Sequence, residues 1–374
     1  MIIGLMNLRK VAIISDVVMD VGGAEKVLEV FLEMFPESDL HTLLVTDKAR
    51  ERIRKKFPKV KIVTSCFQKI VDYKIDLKYL SLIKTFSWIY WEMLDLRKYD
   101  LVISSSHSFG SKAVRGGKRH VSYVHTPPRY LYDEFNEMSL IKRWPFKLVC
   151  WPLLSFLRMI DKKGASRPDV LVANSKNVQF RIKKYYGRDS VVVYPAVEVK
   201  SKVKNKKLKV KKEYYVCLSR LVKQKGIELA VRTCISHGLR LVVVGDGPEK
   251  ENLRKIAGDQ ISFKDNCSDK EKFILMQKAK ALIYPSIEED FGIVPVEALS
   301  VGTPVVGYNS GGVKEVIISG KNGVLFDDFS ERSLYKAILK LDKLKITKSD
   351  CIDSVERFSR ERFVIQIKNI INDK

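Results

Sequence analysis

Nowhere does the sequence hold the uninterrupted stretch of about 18 uncharged apolar residues that a membrane-spanning helix needs, so no spanning helix is expected. Its six cysteines (Cys66, Cys150, Cys217, Cys234, Cys267, Cys351) include no pair at redox or metal-ligand spacing, which suits core filler in a reducing cytoplasm. The opening residues MIIGLMNLRKVAIISD carry only a short apolar stretch and no small-residue cleavage site, so no secretory signal is expected. There is no Asp-x-Asp, no zinc-spaced His or Cys cluster, no lysine-bearing phosphate loop and no G-x-S-x-G elbow. Metal-held nucleotide, ATPase and esterase chemistries therefore lack their residues, and neither a metal nor a cofactor is expected.

Acid is scarce in one part of the chain only. The formal charge is +24, of which residues 1–199 hold +13, the run KSKVKNKKLKVKK at 200–212 holds +8, and residues 213–374 hold only +3. A basic first half suggests a polyanionic partner (an anionic lipid surface, a phosphate-bearing acceptor or nucleic acid), although a solvated lysine-rich face reads the same way.

What is present is globular composition, 45% hydrophobic and 30% charged over 374 residues, enough for two cores. Short β-branched runs alternate with helical-period segments, the pattern of parallel α/β sheets. Strands are expected at 11–15, 40–45, 61–64, 101–105, 120–124, 170–173 and 191–194, then at 214–218, 239–244, 261–263, 281–284 and 303–307. The fold class is therefore α/β, two doubly wound parallel sheets facing across a cleft: residues 1–199, a lysine-rich linker at 200–212, residues 213–354, and a last helical segment at 355–374. Two stretches, Lys69–Trp91 and Trp144–Ile160, are amphipathic; each reads as a buried helix or as one lying on a membrane surface.

The chemistry concentrates in SIEEDFGIVPVEALSVGTPVV, Ser286–Val306, which follows an apolar strand. Glu289 falls in a loop and Glu297 in the first turn of the next helix, so both can face one ligand. The backbone at Phe291, Gly292 and Ile293 can approach that ligand closely, at a helix start that favours negative oxygens. An isolated Glu pair before a helix is otherwise an ordinary dipole partner. Arg220 follows another strand, and Lys225 lies five residues on at a helix start; together they can grip a diphosphate from two directions. Gly245, in VVVGDGPE, suits a close base or ribose contact; the third glycine of a dinucleotide fingerprint is missing. In the first half Gly22 and Gly23 can present N–H groups to a phosphate or sugar, or simply open a helix. His125, directly after a strand, can hydrogen-bond a sugar hydroxyl or be a satisfied core histidine.

These residues together resemble the retaining glycosyltransferases of family 4, also called group 1, which have the GT-B fold. The likeness rests on Glu289–Val306, Arg220-x4-Lys225-Gly226, Gly22-Gly23 and Val172-Ala173-Asn174-Ser175-Lys176 with Tyr194-Pro195. A narrower likeness to bacterial O-antigen mannosyltransferases rests on Tyr99–Gly110, His125–Tyr130 and Asp161 followed by Arg167-Pro168-Asp169. The resemblance implies that Arg220 and Lys225 clamp the donor diphosphate, Glu289 contacts the transferred sugar, Glu297 the ribose, and His125 the sugar near its reacting carbon. It places Gly22 and Gly23 near the phosphates or the acceptor, and sends the C-terminal helix back to the first domain. The expected reaction is metal-independent hexosyl transfer, with GDP-mannose as donor and a lipid-linked or envelope glycan as acceptor, at the cytoplasmic face of a membrane. Competing readings are a non-enzymatic binder of nucleic acid or anionic surface, or a phosphorylase or epimerase on the same fold. Nucleic acid is not expected, because the charge avoids the half that carries the sharpest motifs.

Overall fold

The computed structural model describes residues 10–19, 22–69, 80–107, 111–132, 146–198, 212–265 and 267–373. The lysine run up to residue 211 lies outside the described residues, as do Val21, residues 70–79, 108–110, the tail of the histidine loop at 133–135, and 144–145. The chain divides into two units: unit 1 is Met1–Tyr194 with Phe363–Lys374, and unit 2 is Pro195–Arg362.

Unit 1 is built on seven parallel strands, β1 Val11–Val18, β2 Asp39–Val45, β3 Lys61–Thr64, β4 Leu101–Ser106, β5 Arg119–Val124, β6 Val170–Ala173 and β7 Val191–Val192, in the order β3-β2-β1-β4-β5-β6-β7. All eight residues of β1 are buried, as a central strand covered on both faces requires. The chain runs outward from β1 to β3, then crosses over to β4, so the connections after β1 and β4 diverge and leave a crevice at their carboxyl ends. The helix Gly23–Met34 seats Phe31 edge-on to Tyr123 of β5, with ring centroids 5.9 Å apart. Phe363, from the last helix Arg360–Asn372, packs on both rings, at 5.6 Å from Phe31 and 5.7 Å from Tyr123, and Arg119 donates to the Ile370 carbonyl at 2.7 Å.

Unit 2 repeats the scheme with six parallel strands, β8 Tyr215–Leu218, β9 Leu241–Val244, β10 Ile261–Lys264, β11 Leu282–Tyr284, β12 Val305–Tyr308 and β13 Gly323–Phe326, ordered β10-β9-β8-β11-β12-β13. Its crevice lies between the ends of β8 and β11. The edge strand β13 was not expected from the sequence: GVLF is four residues long and opens on glycine, too short to display a period.

The expectation of a buried helix over Trp144–Ile160 needs correction. A single helix, Phe146–Ala165, runs through Pro152; it buries Leu157 and Ile160 and leaves Trp151, Leu153, Phe156 and Met159 exposed.

Candidate functional site

In unit 2 the loop after β8 carries Arg220 and Lys225, and the loop after β11 carries Glu289. Backbone bonds stitch the two together: the Ile287 N–H donates to the Gln224 carbonyl at 2.9 Å. Gly226, at φ 63°, lies so near the Pro285 carbonyl that a Cβ would come within 2.4 Å of it. Lys225 closes a short 3-10 turn, Lys223–Lys225, ahead of the helix Ile227–Ser236, and so stands one step before the helix start expected for it. The turn brings its ammonium onto the Glu289 carboxylate, where Tyr284 and Ser286 also donate to the same Oε2, at 2.9 and 2.7 Å. Burial pushes the Glu289 carboxyl upward, but the Lys225 charge and the three donors outweigh it and hold the group at about 2. The carboxylate is thus ionised and fixed in direction, and Lys225 keeps ammonium donors beyond the one that Glu289 takes. Arg220 is exposed, its guanidinium without a hydrogen-bond or ion-pair partner among the described residues.

Several supports for this site were not legible in the sequence. Glu288, at φ 53°, is the one non-glycine residue with positive φ among the described residues, a strained conformation that clusters at functional sites. Its N–H donates to Ser310 Oγ at 3.1 Å, and that hydroxyl donates back to the Glu288 carboxylate at 3.0 Å. The turn after β12 lies flat on the carboxylate loop: a Cβ on Gly311 would sit 2.2 Å from the Glu289 carbonyl, and one on Gly312 would sit 2.2 Å from that of Asp290. From the other flank Gly245 (φ 140°) abuts the loop before Arg220; a Cβ there would reach 1.9 Å from the Ser219 carbonyl. The Ser219 and Leu221 N–H groups donate to the Val244 and Asp246 carbonyls at 3.1 and 2.8 Å, so the turn after β9 holds the cationic loop in place, while the Gly245 N–H donates to the Lys264 carbonyl at 3.2 Å.

Gly292, at φ 96°, caps the helix Ile293–Ser300, whose leading N–H groups at Ile293 and Val294 have no acceptor within that helix. Phe291 turns inward, edge-on to Phe358 at 5.2 Å, so only its backbone borders the site. Glu297 is the fifth residue of that helix, one turn deeper than expected, and is buried; burial above all, then the Glu289 charge, and least the Glu297 charge push the Tyr284 phenol up. Two hollows open nearby. One of about 440 Å³, lined by Leu221, Gly226, Ile227, Leu253 and Phe329, touches neither Glu289 nor Glu297. The other, about 390 Å³, lies at the carboxyl end of β10 and is lined by Lys264, Asp265, Cys267, Glu271, Ile274 and Leu275.

In unit 1, His125 follows β5, accepts or donates a 2.9 Å bond with Ser105 Oγ through Nε2, and stands 6.4 Å from the ring of His107. Burial first, then His107, push its pKa down to about 3, so it is a neutral imidazole at physiological pH. The following loop is braced by Arg181, whose guanidinium donates to Thr126 Oγ1 at 3.0 Å. Asp161 and Lys112 form a fully buried ion pair, and Tyr132 donates to the same carboxylate at 2.9 Å, which ties the helix Phe146–Ala165 to the turn Arg129–Tyr132. Gly22 is the N-cap of the helix Gly23–Met34, in extended backbone, with the Glu25 carboxylate folded over it. Ser175, in the Asn174-Ser175-Lys176 run, is a helix cap that accepts from the Val178 N–H at 3.1 Å.

Two doubly wound parallel sheets of this kind define the GT-B class. HepE from Anabaena, crystallised in complex with UDP, matches with a TM-score of 0.71 at 17% identity, over 98% of this chain and 100% of that one. Sucrose-phosphate synthase from Thermosynechococcus elongatus matches at 0.70 and 16%, over 97% and 98%. The family model "Glycosyltransferase Family 4" matches residues 21–201 and "Glycosyl transferases group 1" matches residues 198–358; the chain belongs to these family 4, or group 1, glycosyltransferases. Among curated relatives, the alpha-1,3/1,6-mannosyltransferase ALG2 of Saccharomyces cerevisiae is 27% identical, over 54% of this chain and 48% of its own length. The O-antigen chain mannosyltransferase RfbU of Salmonella typhimurium is 28% identical, over 54% and 58%. A GDP-mannose-dependent phosphatidylinositol monomannoside mannosyltransferase of Mycobacterium tuberculosis is 27% identical, over 52% and 57%. This chain spans about half the length of the curated relatives it matches.

Proposed function

We propose that the protein is a retaining hexosyltransferase that moves mannose from GDP-mannose to a lipid-linked or envelope glycan. The carrying observation is the convergence of Lys225, Tyr284 and Ser286 on Glu289 at the crevice of the second sheet, with an exposed Arg220 whose guanidinium has no partner among the described residues. Arg220 and Lys225 take the donor diphosphate; as the glycosidic bond lengthens, charge grows on the leaving phosphate and the two cations stabilise it. Glu289, held ionised and oriented, addresses the transferred sugar, and Glu297 addresses the ribose. The leading N–H groups of the helix Ile293–Ser300 face the same negative oxygens. In unit 1 the neutral His125 serves as a hydrogen-bonding group for a sugar hydroxyl, and Gly22-Gly23 border the acceptor side.

The guanine choice is supported by the hollow at the end of β10. Asp265 lines it, its carboxyl held below the usual range by a hydrogen bond from Lys250, and a carboxylate accepts well from the adjacent N–H groups of guanine. Mannosyltransferases recur among the relatives, and one is named as GDP-mannose-dependent. The basic first half fits a phosphate-bearing acceptor at the cytoplasmic face of an anionic membrane.

Thermal unfolding with GDP, UDP, ADP and their sugars tests the reading, since a ligand that binds only the folded chain raises its melting point. GDP and GDP-mannose are expected to give the largest rise. A rise with UDP species alone would replace the donor; no rise with any nucleotide would remove the nucleotide-sugar reading.

A further inference from the structure

We propose that unit 1 docks on an anionic lipid surface through the exposed face of the helix Phe146–Ala165, with the neighbouring helix Leu80–Met93 beside it. This gives the membrane contact of the proposed function a definite surface. A helix on the outside of a globular unit ordinarily turns charge to the solvent. Here Trp151, Leu153, Phe156 and Met159 are 62%, 49%, 45% and 60% exposed. The outward line Phe156, Met159, Lys163 stays apolar until the last turn, where Lys162 and Lys163 are exposed with no acidic partner among the described residues. Asp161, the helix's one acid, is buried and neutralised by Lys112, so the charge this helix shows outward is positive only.

The helix Leu80–Met93 meets it where Trp88 lies edge-on to Phe156 at 6.2 Å, and it exposes Phe86, Ile89 and Met93 at helical spacing. These two helices hold seven of the fourteen large hydrophobic side chains exposed among the described residues, which makes a cluster and not the usual single scatter. An apolar face ending in lysines fits a bilayer interface, where the side chains enter the acyl boundary and the ammonium groups meet anionic headgroups. A second copy fits poorly, because pairing this face with itself opposes like charges. Among the described residues no helix is long and apolar enough to cross a membrane, so the contact lies in the plane of the interface.

Flotation of the full chain with vesicles of phosphatidylglycerol in phosphatidylcholine, against phosphatidylcholine alone, reads the docking without donor or acceptor. The wild type is expected to float with the anionic vesicles and to shift its tryptophan emission to the blue. Trp151→Ser with Met159→Ser should weaken binding about tenfold or more, the scale expected for two lost apolar side chains, with an unchanged melting point. Lys162→Gln with Lys163→Gln should weaken it mainly at low salt. No flotation of the wild type overturns the proposal, and so does equal flotation of the Trp151→Ser/Met159→Ser variant. A dimer that this variant dissolves, seen by size exclusion, also overturns it by making the face a self-interface. Nucleotide stabilisation of the same variants stays a separate readout, so docking and donor binding fail independently.

Discussion

At the scale of single residues, the site separates two kinds of cation. Arg220 is exposed with its guanidinium unpaired among the described residues, so Arg220→Ala should leave the fold intact and raise the transfer barrier by about 2–4 kcal/mol, the range for a lost transition-state donor. Turnover at the wild-type rate under saturating donor would remove it from the proposed diphosphate clamp. Lys225 does a second job, because it keeps Glu289 ionised at about 2. Lys225→Met should therefore cost stability as well as turnover. Glu289 has a lowered pKa in the folded chain, so its contribution is full above the ordinary glutamate range and fades as pH falls toward 2; in Lys225→Met burial pulls the folded pKa back toward or above the unfolded value, so that acid loss should shrink or vanish, which denaturant titrations between neutral and acid pH can measure. Arg220, Lys225 and Glu289 were nameable from sequence because a fixed spacing after a strand is a local signal. Tyr284 is adjacent to that signal but reads as core, and Ser310 comes from a different strand end, so neither partnership leaves a trace in spacing.

At the scale of elements, the parallel strands were the legible part, since a strand buried on both faces is written as an unbroken apolar run, as in LVVV of β9. Edges and helix entries were less so. The short β13 escaped, and Glu297 lies one turn further in because the helix opens at Ile293, directly after the left-handed Gly292 and ahead of Pro295. The glycines after β9 and β12 read as ligand contacts or as nothing, yet their main structural duty is to let neighbouring backbones touch. Gly245→Ala tests this. Its Cβ would strike the Ser219 carbonyl at 1.9 Å from a positive φ, so a loss of roughly 1–3 kcal/mol in stability is expected, with a raised donor KM as the Arg220 loop shifts. An unchanged melting point and KM would show that the loop is not set by this contact.

At the scale of the whole molecule, the two units differ in how they meet acid. Burial is the leading cause that lowers His41 and His120 to about 4 and His125 to about 3, and all three belong to unit 1. An unfolded chain takes up those protons near 6.5 while the folded one does not, so the stabilisation is whole above that pH and drains away toward 4. Urea unfolding at pH 7 and at pH 4.5 should show unit 1 losing up to about 7 kcal/mol, about 2.5 for each histidine, ahead of unit 2, whose one histidine, His237, is exposed. Equal loss in both units would place the acid sensitivity elsewhere.

The return of Phe363 to the rings of Phe31 and Tyr123 also bears on how the protein comes into being. A ribosome delivers β1 through β7 first, but the side chains that close over that sheet emerge only after all of unit 2 has been synthesised. The nascent first sheet therefore waits with an aromatic seam uncovered, and prompt folding of the inserted unit governs how long that seam is open to aggregation.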